Sequence, residues 1–371
     1  MKHLLPILTP CLLCLTLNAQ YILNNSTAGK RFQEAIPASQ FVLLGESDHL
    51  VKQFNEFKDS LVIQMLNTNK QAVLVFESGI CELFCQVLNT KTTHPVGIRT
   101  CLFPIWSVKE NQPLFDFLNS NAFTIVGIDL QSYNYRYSSL ADSLLKQAKI
   151  CSDFFHMDSI LVRLSLKKQM LTLKNSDLNF PKEKLLAYYS DLMKKLQANP
   201  GLMSSELDPF HTALFIETLR NRIDLCTEIT LMQYNDFMTF RDSIMFRNLK
   251  WFADNMAPGT QFIVWAYNGH IAKTNVNHEH FKCVGTYLQD AYPGKAVVVG
   301  LLYAKKKGDG LHSLFETDRH VRKAFKGFES NEKMLFSGNP APDRDAEHFH
   351  KQFDYVVLFR HTEMPTYVKW E

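Results

Sequence analysis

Five short apolar runs punctuate the chain, each closing on a glycine or a polar group: QFVLLGE, QAVLVFESG, AFTIVGIDLQ, TQFIVWAYNGH and KAVVVGLLYA. They are rich in Val, Ile and Phe and nearly free of charge, as strands covered on both faces are. Between them, segments such as NEFKDSLVIQMLNTNK and QPLFDFLNSN carry apolar residues at helical spacing. This alternation predicts an α/β layered fold with a mostly parallel central sheet. From about residue 136 to 250 the texture changes to a series of amphipathic helices, among them SLADSLLKQAKI and KEKLLAYYSDLMKKLQAN. We read this stretch as a helical insertion between the third and fourth strands. Near the C-terminal end, FDYVVLF adds one more strand.

Composition narrows the class. The 371 residues, 46% hydrophobic and 21% charged, suit a globular protein of one large domain or two smaller ones. A net charge of +3, with 40 basic residues scattered among 37 acidic ones, offers no footprint for nucleic acid or an acidic membrane surface. The first residues do carry a message. Met1-Lys2-His3 precedes an apolar run from Leu4 to Leu17 and then Asn18-Ala19-Gln20, the pattern of a secretory signal with cleavage after Ala19. The run is broken by Pro6 and Pro10 and is shorter than the roughly 20 apolar residues of a membrane span. The expectation is an exported protein, periplasmic or extracellular, whose domain occupies residues 20–371 without stable membrane insertion. Its six remaining cysteines are too sparse for a disulfide scaffold. Cys81 and Cys85, at helical spacing in SGICELFCQVL, read as small buried hydrophobes.

Ligands of open α/β sheets bind outside the carboxyl ends of the strands. Glu46 and His49, Glu77, Asp129, and the segment Tyr267 to His270 all stand at such ends, so parallel neighbours would gather them at one cleft. If the turn after Gly45 opens a helix, Glu46 and His49 share a face. A carboxylate there fixes the imidazole tautomer and makes His49 a better base. The bland alternative is a local hydrogen bond at a helix start. Glu77 and Asp129 each follow an apolar run and must be paired or neutral if buried, as acid/base partners or as caps and structural ion pairs. In WAYNGHIAK, His270 is a second acid/base candidate and Asn268 an oxyanion donor, although Asn268-Gly269 also suits a plain turn. Arg241, in TFRDSIMFRNLKWF, can pair with Glu46 or Glu77 and keep that carboxylate ionised.

His278 and His280 in NVNHEHF, and the pair in AEHFHKQF, lack a defined third ligand and read as exposed side chains rather than a metal site. The chain has no His-Glu-x-x-His motif, no Gly-x-Ser-x-Gly elbow, no P-loop and no dinucleotide fingerprint. Water activation by a histidine therefore outweighs covalent serine chemistry and cofactor redox.

Taken in order, the segments resemble the erythromycin esterase family. LLGESDHLVKQFNEFK is similar to its Gly-Glu-x-x-His-Gly opening, and VLVFESG to its second acidic strand end. FPIWSVKENQPLFDFLNSN and IVGIDLQ are similar to its tryptophan and Gly-x-Asp segments. FRDSIMFRNLKWF resembles its Arg-Asp-x-x-Met-x-x-Asn helix, and FIVWAYNGHIAK its Trp-Ala-His-Asn-x-His strand end. The likeness extends over roughly residues 40–303. It implies a three-layer α/β/α fold and hydrolysis of an ester or lactone by water, without metal and without an acyl-enzyme. His49 would be the general base, with Glu46 and Glu77 orienting it and the water and with His270 and Arg241 completing the cleft. Trp106, Asp129, Tyr267 and Asn268 would hold a small-molecule ester or lactone. Three positions depart from the family pattern: Leu50 replaces its glycine, Gln53 its glutamate and Tyr267 its first histidine. These departures keep open a catalytically inert binding protein on the same fold. A metal-dependent hydrolase using Glu46, His49, Glu77 and His270 is the other alternative.

Overall fold

The computed structural model describes residues 32–88, 97–151, 153–231, 233–274, 281–303, 334–338, 351–359 and 362–367. The signal expected over residues 1–19 and the histidines 278, 280, 348 and 350 lie outside the described residues. The fold is three-layer α/β/α with a mostly parallel central sheet. Two compact units divide it. One draws on Met1–Leu74, Pro104–Phe123 and Gly259–Glu371, the other on Val75–Phe103 and Thr124–Pro258. Among the described residues, no helix is long and apolar enough to cross a membrane.

In the first unit, strand β1 (Phe41–Leu44) lies parallel to β4 (Phe262–Trp265) and to β5 (Ala296–Tyr303). Its register sets Leu44 level with Trp265 and Val299, so β1 and β4 end at one level while β5 runs on beside them to Tyr303. Beyond β5 come β7 (Tyr355–Phe359), parallel, and β6 (Met334–Gly338), antiparallel. All four residues of β1 and all four of β4 are buried, which is why their sequences show no polar alternation. Helix α1 (Lys52–Thr68) buries Phe54, Phe57, Leu61, Val62, Met65 and Leu66 along one stripe. Its Phe54 ring meets Phe359 edge-on at 5.2 Å, which seats α1 against β7.

The second unit takes β2 (Val73–Gly79) from Val75 onward, helix α2 (Ile80–Leu88) and strand β3 (Thr124–Asp129). Helix α3 (Gln112–Ser120) belongs to the first unit. The helices predicted after β3 are α4 (Arg136–Gln147), α5 (Phe154–Gln169), α6 (Lys182–Ala198), α7 (Pro209–Glu228) and α8 (Tyr234–Asn255). Their interior is partly polar. Arg222 of α7 is fully buried and forks onto Asp158 of α5, Nε to Oδ1 at 2.9 Å and Nη2 to Oδ2 at 3.1 Å. Ser138 and Tyr189 also donate to Asp158, at 2.6 and 2.8 Å, so its charge is fully compensated. Arg222 and Glu82 both hydrogen-bond the Ser132 hydroxyl.

In helix α10 (Val284–Ala291), a Cβ on Gly285 would collide with the carbonyl oxygens of Ile271 and Ala272. Both obstacles are backbone and have no rotamer to yield. Gly285→Ala is expected to cost about 1–3 kcal/mol, read as a lower urea midpoint at unchanged slope. Burial raises Glu82 from 4.5 to about 7, against Arg222 and the Ser132 hydrogen bond, which lower it. The folded state then binds this proton more tightly than the unfolded chain. Its contribution is whole below about pH 4.5 and is lost as the pH rises towards about 7. Urea titrations across that window should show Glu82→Gln gaining on the parent, by about 3 kcal/mol at its upper end.

Candidate active site

Beyond Leu44 the chain leaves β1 but stays clamped. Gly45 and Ser47 donate their N–H groups to the carbonyls of Val299 and Leu301, at 2.8 and 3.0 Å. On the other side, Asn268 donates its N–H to the Glu46 carbonyl at 2.8 Å and its Nδ2 to the Leu301 carbonyl at 3.0 Å. Gly45 is required here, because a Cβ would run into the Asn268 side chain and the Ile271 methyl. Residues 45–51 form a bend and α1 starts only at Lys52, so Glu46 and His49 do not share a helical face. Asp48 holds the bend by accepting the Leu50 N–H at 2.8 Å.

That bend brings the His49 Nδ1 within 2.6 Å of Glu46 Oε1. The second carboxylate oxygen, Oε2, meets Lys58 Nζ of α1 at 2.6 Å. The Glu46 and Lys58 side chains are 1% and 0% exposed, whereas His49 is 27% exposed. An ionised carboxylate can only accept, so Glu46 paired with an ammonium places the imidazole proton on Nδ1. Nε2 is then the basic nitrogen. The Lys58 ammonium lies 4.4 Å from the Trp265 ring centroid and 5.6 Å from that of Trp106, faces that attract a desolvated cation.

Two aromatic rings flank the imidazole. Trp106 meets it edge-on and Tyr267 at a tilt, each at 5.2 Å between centroids. Tyr267 caps the one-turn helix α9 (Asn268–Ile271), which carries the buried His270 with its ring 6.3 Å from that of Tyr267. The first unit thus gathers Glu46, His49, Trp106, Tyr267, Asn268 and His270. Asn268, a candidate oxyanion donor by sequence, spends its Nδ2 on the Leu301 carbonyl and locks the bend. Gln53, where the family pattern has glutamate, accepts the Glu363 N–H at 2.9 Å.

The second unit gathers the other three candidates. Glu77 lies inside β2 and Asp129 ends β3, rather than both following their strands. Arg241 of α8 bonds both oxygens of Asp129 through Nε, at 3.2 Å each, and reaches Glu77 Oε1 through Nη2 at 3.0 Å. Burial works against the guanidinium charge, but the two carboxylates more than offset it and hold its pKa above the ordinary value. Of the two pairings that the sequence allowed Arg241, this geometry has the one with Glu77. Among the described residues, no group of three or more His, Cys, Asp or Glu side chains is placed to hold a metal ion.

Lys58 and Arg222 were missed in the sequence. A signal existed for both, because each sits on the apolar stripe of its helix. Lys58 falls among Phe54, Phe57, Leu61 and Val62, and Arg222 among Leu219, Leu225 and Cys226.

Residues 86–309 match the family model described as erythromycin esterase. The matched stretch exceeds half of the chain and holds Trp106, Asp129, Arg241, Tyr267, Asn268 and His270. It begins after Glu46, His49 and Glu77. YbfO of Bacillus subtilis, a protein named as a hydrolase, is 25% identical over 278 residues. The match takes in 68% of this chain and spans 61% of the length of that relative. A solved Bacillus cereus protein superposes with a TM-score of 0.66 at 19% identity, over 96% of this chain and 99% of that one. A protein described as serving succinoglycan biosynthesis gives 0.65 at 16% identity, over 97% and 99%. A mutant of the erythromycin esterase EreC in its open conformation gives 0.65 at 13% identity, over 93% and 96%. At these identities the structures share the fold with this chain.

Removing the cation from the second-unit cluster would strand Asp129 beside Glu77. Arg241→Met is expected to cost about 3–5 kcal/mol of stability near neutral pH, with a smaller loss in Arg241→Lys, which keeps the charge but not the fork. Urea unfolding of the three proteins at equal pH checks this.

Proposed function

The chain belongs to the erythromycin esterase family, and we propose that it hydrolyses an ester or lactone with a water activated by His49. One observation carries the reading: an accessible imidazole whose Nδ1 is held at 2.6 Å by a buried, lysine-paired carboxylate. Such a base is fixed in tautomer and orientation before substrate arrives. In the proposed reaction Nε2 takes a proton from water as the water oxygen attacks the carbonyl carbon. The tetrahedral intermediate collapses by breaking the bond to the alcohol oxygen, and the imidazolium returns its proton to that oxygen. A carboxylic acid and an alcohol leave, or a hydroxy acid from a lactone. No covalent enzyme intermediate forms and His49 ends neutral.

Tyr267, whose ring lies 5.2 Å from that of His49, is the side chain we propose to touch substrate, and the fully buried Trp106 ring backs the imidazole. Tyr267 offers a hydroxyl donor where the family pattern has a histidine. The family resemblance assigns Glu77 to the water, and Glu77→Gln tests that assignment separately. The basic start and apolar run of residues 1–17 support the further proposal that the protein acts after export. A second reading, a binding protein without turnover, is favoured by Tyr267, Leu50 and Gln53, of which Gln53 is engaged in fixing the Glu363 segment.

The test is a panel of activated esters, simple lactones and macrolides, assayed with and without a chelator. The expectation is chelator-resistant turnover that falls about 10²–10⁴-fold in His49→Ala. Turnover unchanged in that variant would refute His49 as the base. Absence of turnover with saturable thermal stabilisation by panel compounds would favour the binding reading.

A further inference from the structure

The bend after β1 holds three ionisable groups in series, with the Glu46 carboxylate bridging Lys58 on one oxygen and His49 on the other. With Lys58 charged, Glu46 ionised and His49 neutral, the trio has no net charge, the least costly state where Lys58 and Glu46 are almost wholly buried. Adding a proton leaves one uncompensated positive charge. Without the ammonium the balance reverses. Glu46 beside a neutral His49 would be a bare buried anion, and taking up a proton would neutralise the pair, whichever atom carries it.

We propose that Lys58 is a positioning residue for the hydrolysis, acting through Glu46 to lower the proton affinity of the Glu46–His49 pair so that His49 rests in its basic form. The inference builds on the reading of His49 as general base. Other ionisable groups lie on the elements that carry the trio. Asp48, in the same bend, accepts from Leu50 N–H and lies 3.4 Å from the Tyr303 hydroxyl. It also acts on the charge of Tyr367. Asp59, next to Lys58 on α1, has its carboxyl pushed well above the usual range by burial, against the Leu114 N–H and Lys58, with Glu56 and Glu110 adding to the rise. The carboxylate oxygen that meets the Lys58 ammonium is Glu46 Oε2, at 2.6 Å. The Tyr267 ring lies 5.2 Å from that of His49, and the His270 ring 6.3 Å from that of Tyr267.

The test follows the imidazole C–H resonances of the full chain through a pH titration. The His49 signal among the 13 histidines is identified by its loss in His49→Gln. Lys58→Met should raise the His49 midpoint by about one unit or more, because it removes a positive charge that disfavours a second one on the imidazole, while Lys58→Arg should keep it near the parent value. The acid limb of kcat/KM should move up by the same amount, with the plateau at higher pH retained, a pattern that a merely loosened structure would not produce. If Lys58→Met does not fold, Lys58→Gln, which can still donate to Glu46, should show the same direction of shift. A folded variant whose His49 titrates as in the parent overturns the proposal. A shifted midpoint beside hydrolysis indifferent to His49→Ala would keep the linkage and overturn the base assignment instead.

Discussion

An ammonium and a carboxylate with almost no solvent exposure must find each other, and the pairing of Lys58 with Glu46 fixes much around the end of β1. Each ion alone in that interior would cost several kcal/mol, so the arrangement tolerates little displacement. The requirement reaches outward in both directions. It places α1 so that position 58 faces the strand end, where Nζ also approaches the Leu44 carbonyl at 3.5 Å. It draws the bend inward, where Gly45 clears the Asn268 side chain and the peptide groups bond to β5 and α9. His49 inherits its orientation from that chain of constraints.

The second unit meets the same demand with arginine. Arg222 and Arg241 each present a fork to a carboxylate, and the remaining lone pairs of Asp158 are taken by hydroxyl donors. A planar guanidinium suits such sites because it compensates charge and fixes direction at once. Lysine suits the first unit's site differently. Its compact charge meets a single carboxylate oxygen and the faces of Trp265 and Trp106, leaving the other oxygen to His49.

The strands were legible because each is a short apolar run buried on both faces, and β1, β2, β3, β4 and β5 fall within the five runs. The helices from Arg136 to Asn255 were legible by periodicity. The conformation after Gly45 was less so. Glu46 and His49, three residues apart, can meet across a helical turn or a bend, and only the clamping carbonyls of β5 decide for the bend. Likewise Asn268 carried two readings at once, and the Leu301 carbonyl settles how its amide is used.

The sequence by itself determined which residue types stand at the strand ends, since an apolar run that stops at Glu, Asp or His writes its chemistry in order along the chain. It also determined the family likeness, carried by ordered motifs. Only the tertiary structure decided the partners. Lys58 finds Glu46 from the far side of a loop and an entire helical turn, and Arg241 finds Asp129 across 112 residues of chain. The physical reason is that compensation of buried charge is a matter of distance in space. A local pattern records that a lysine lies on an apolar stripe, but not which carboxylate will balance it.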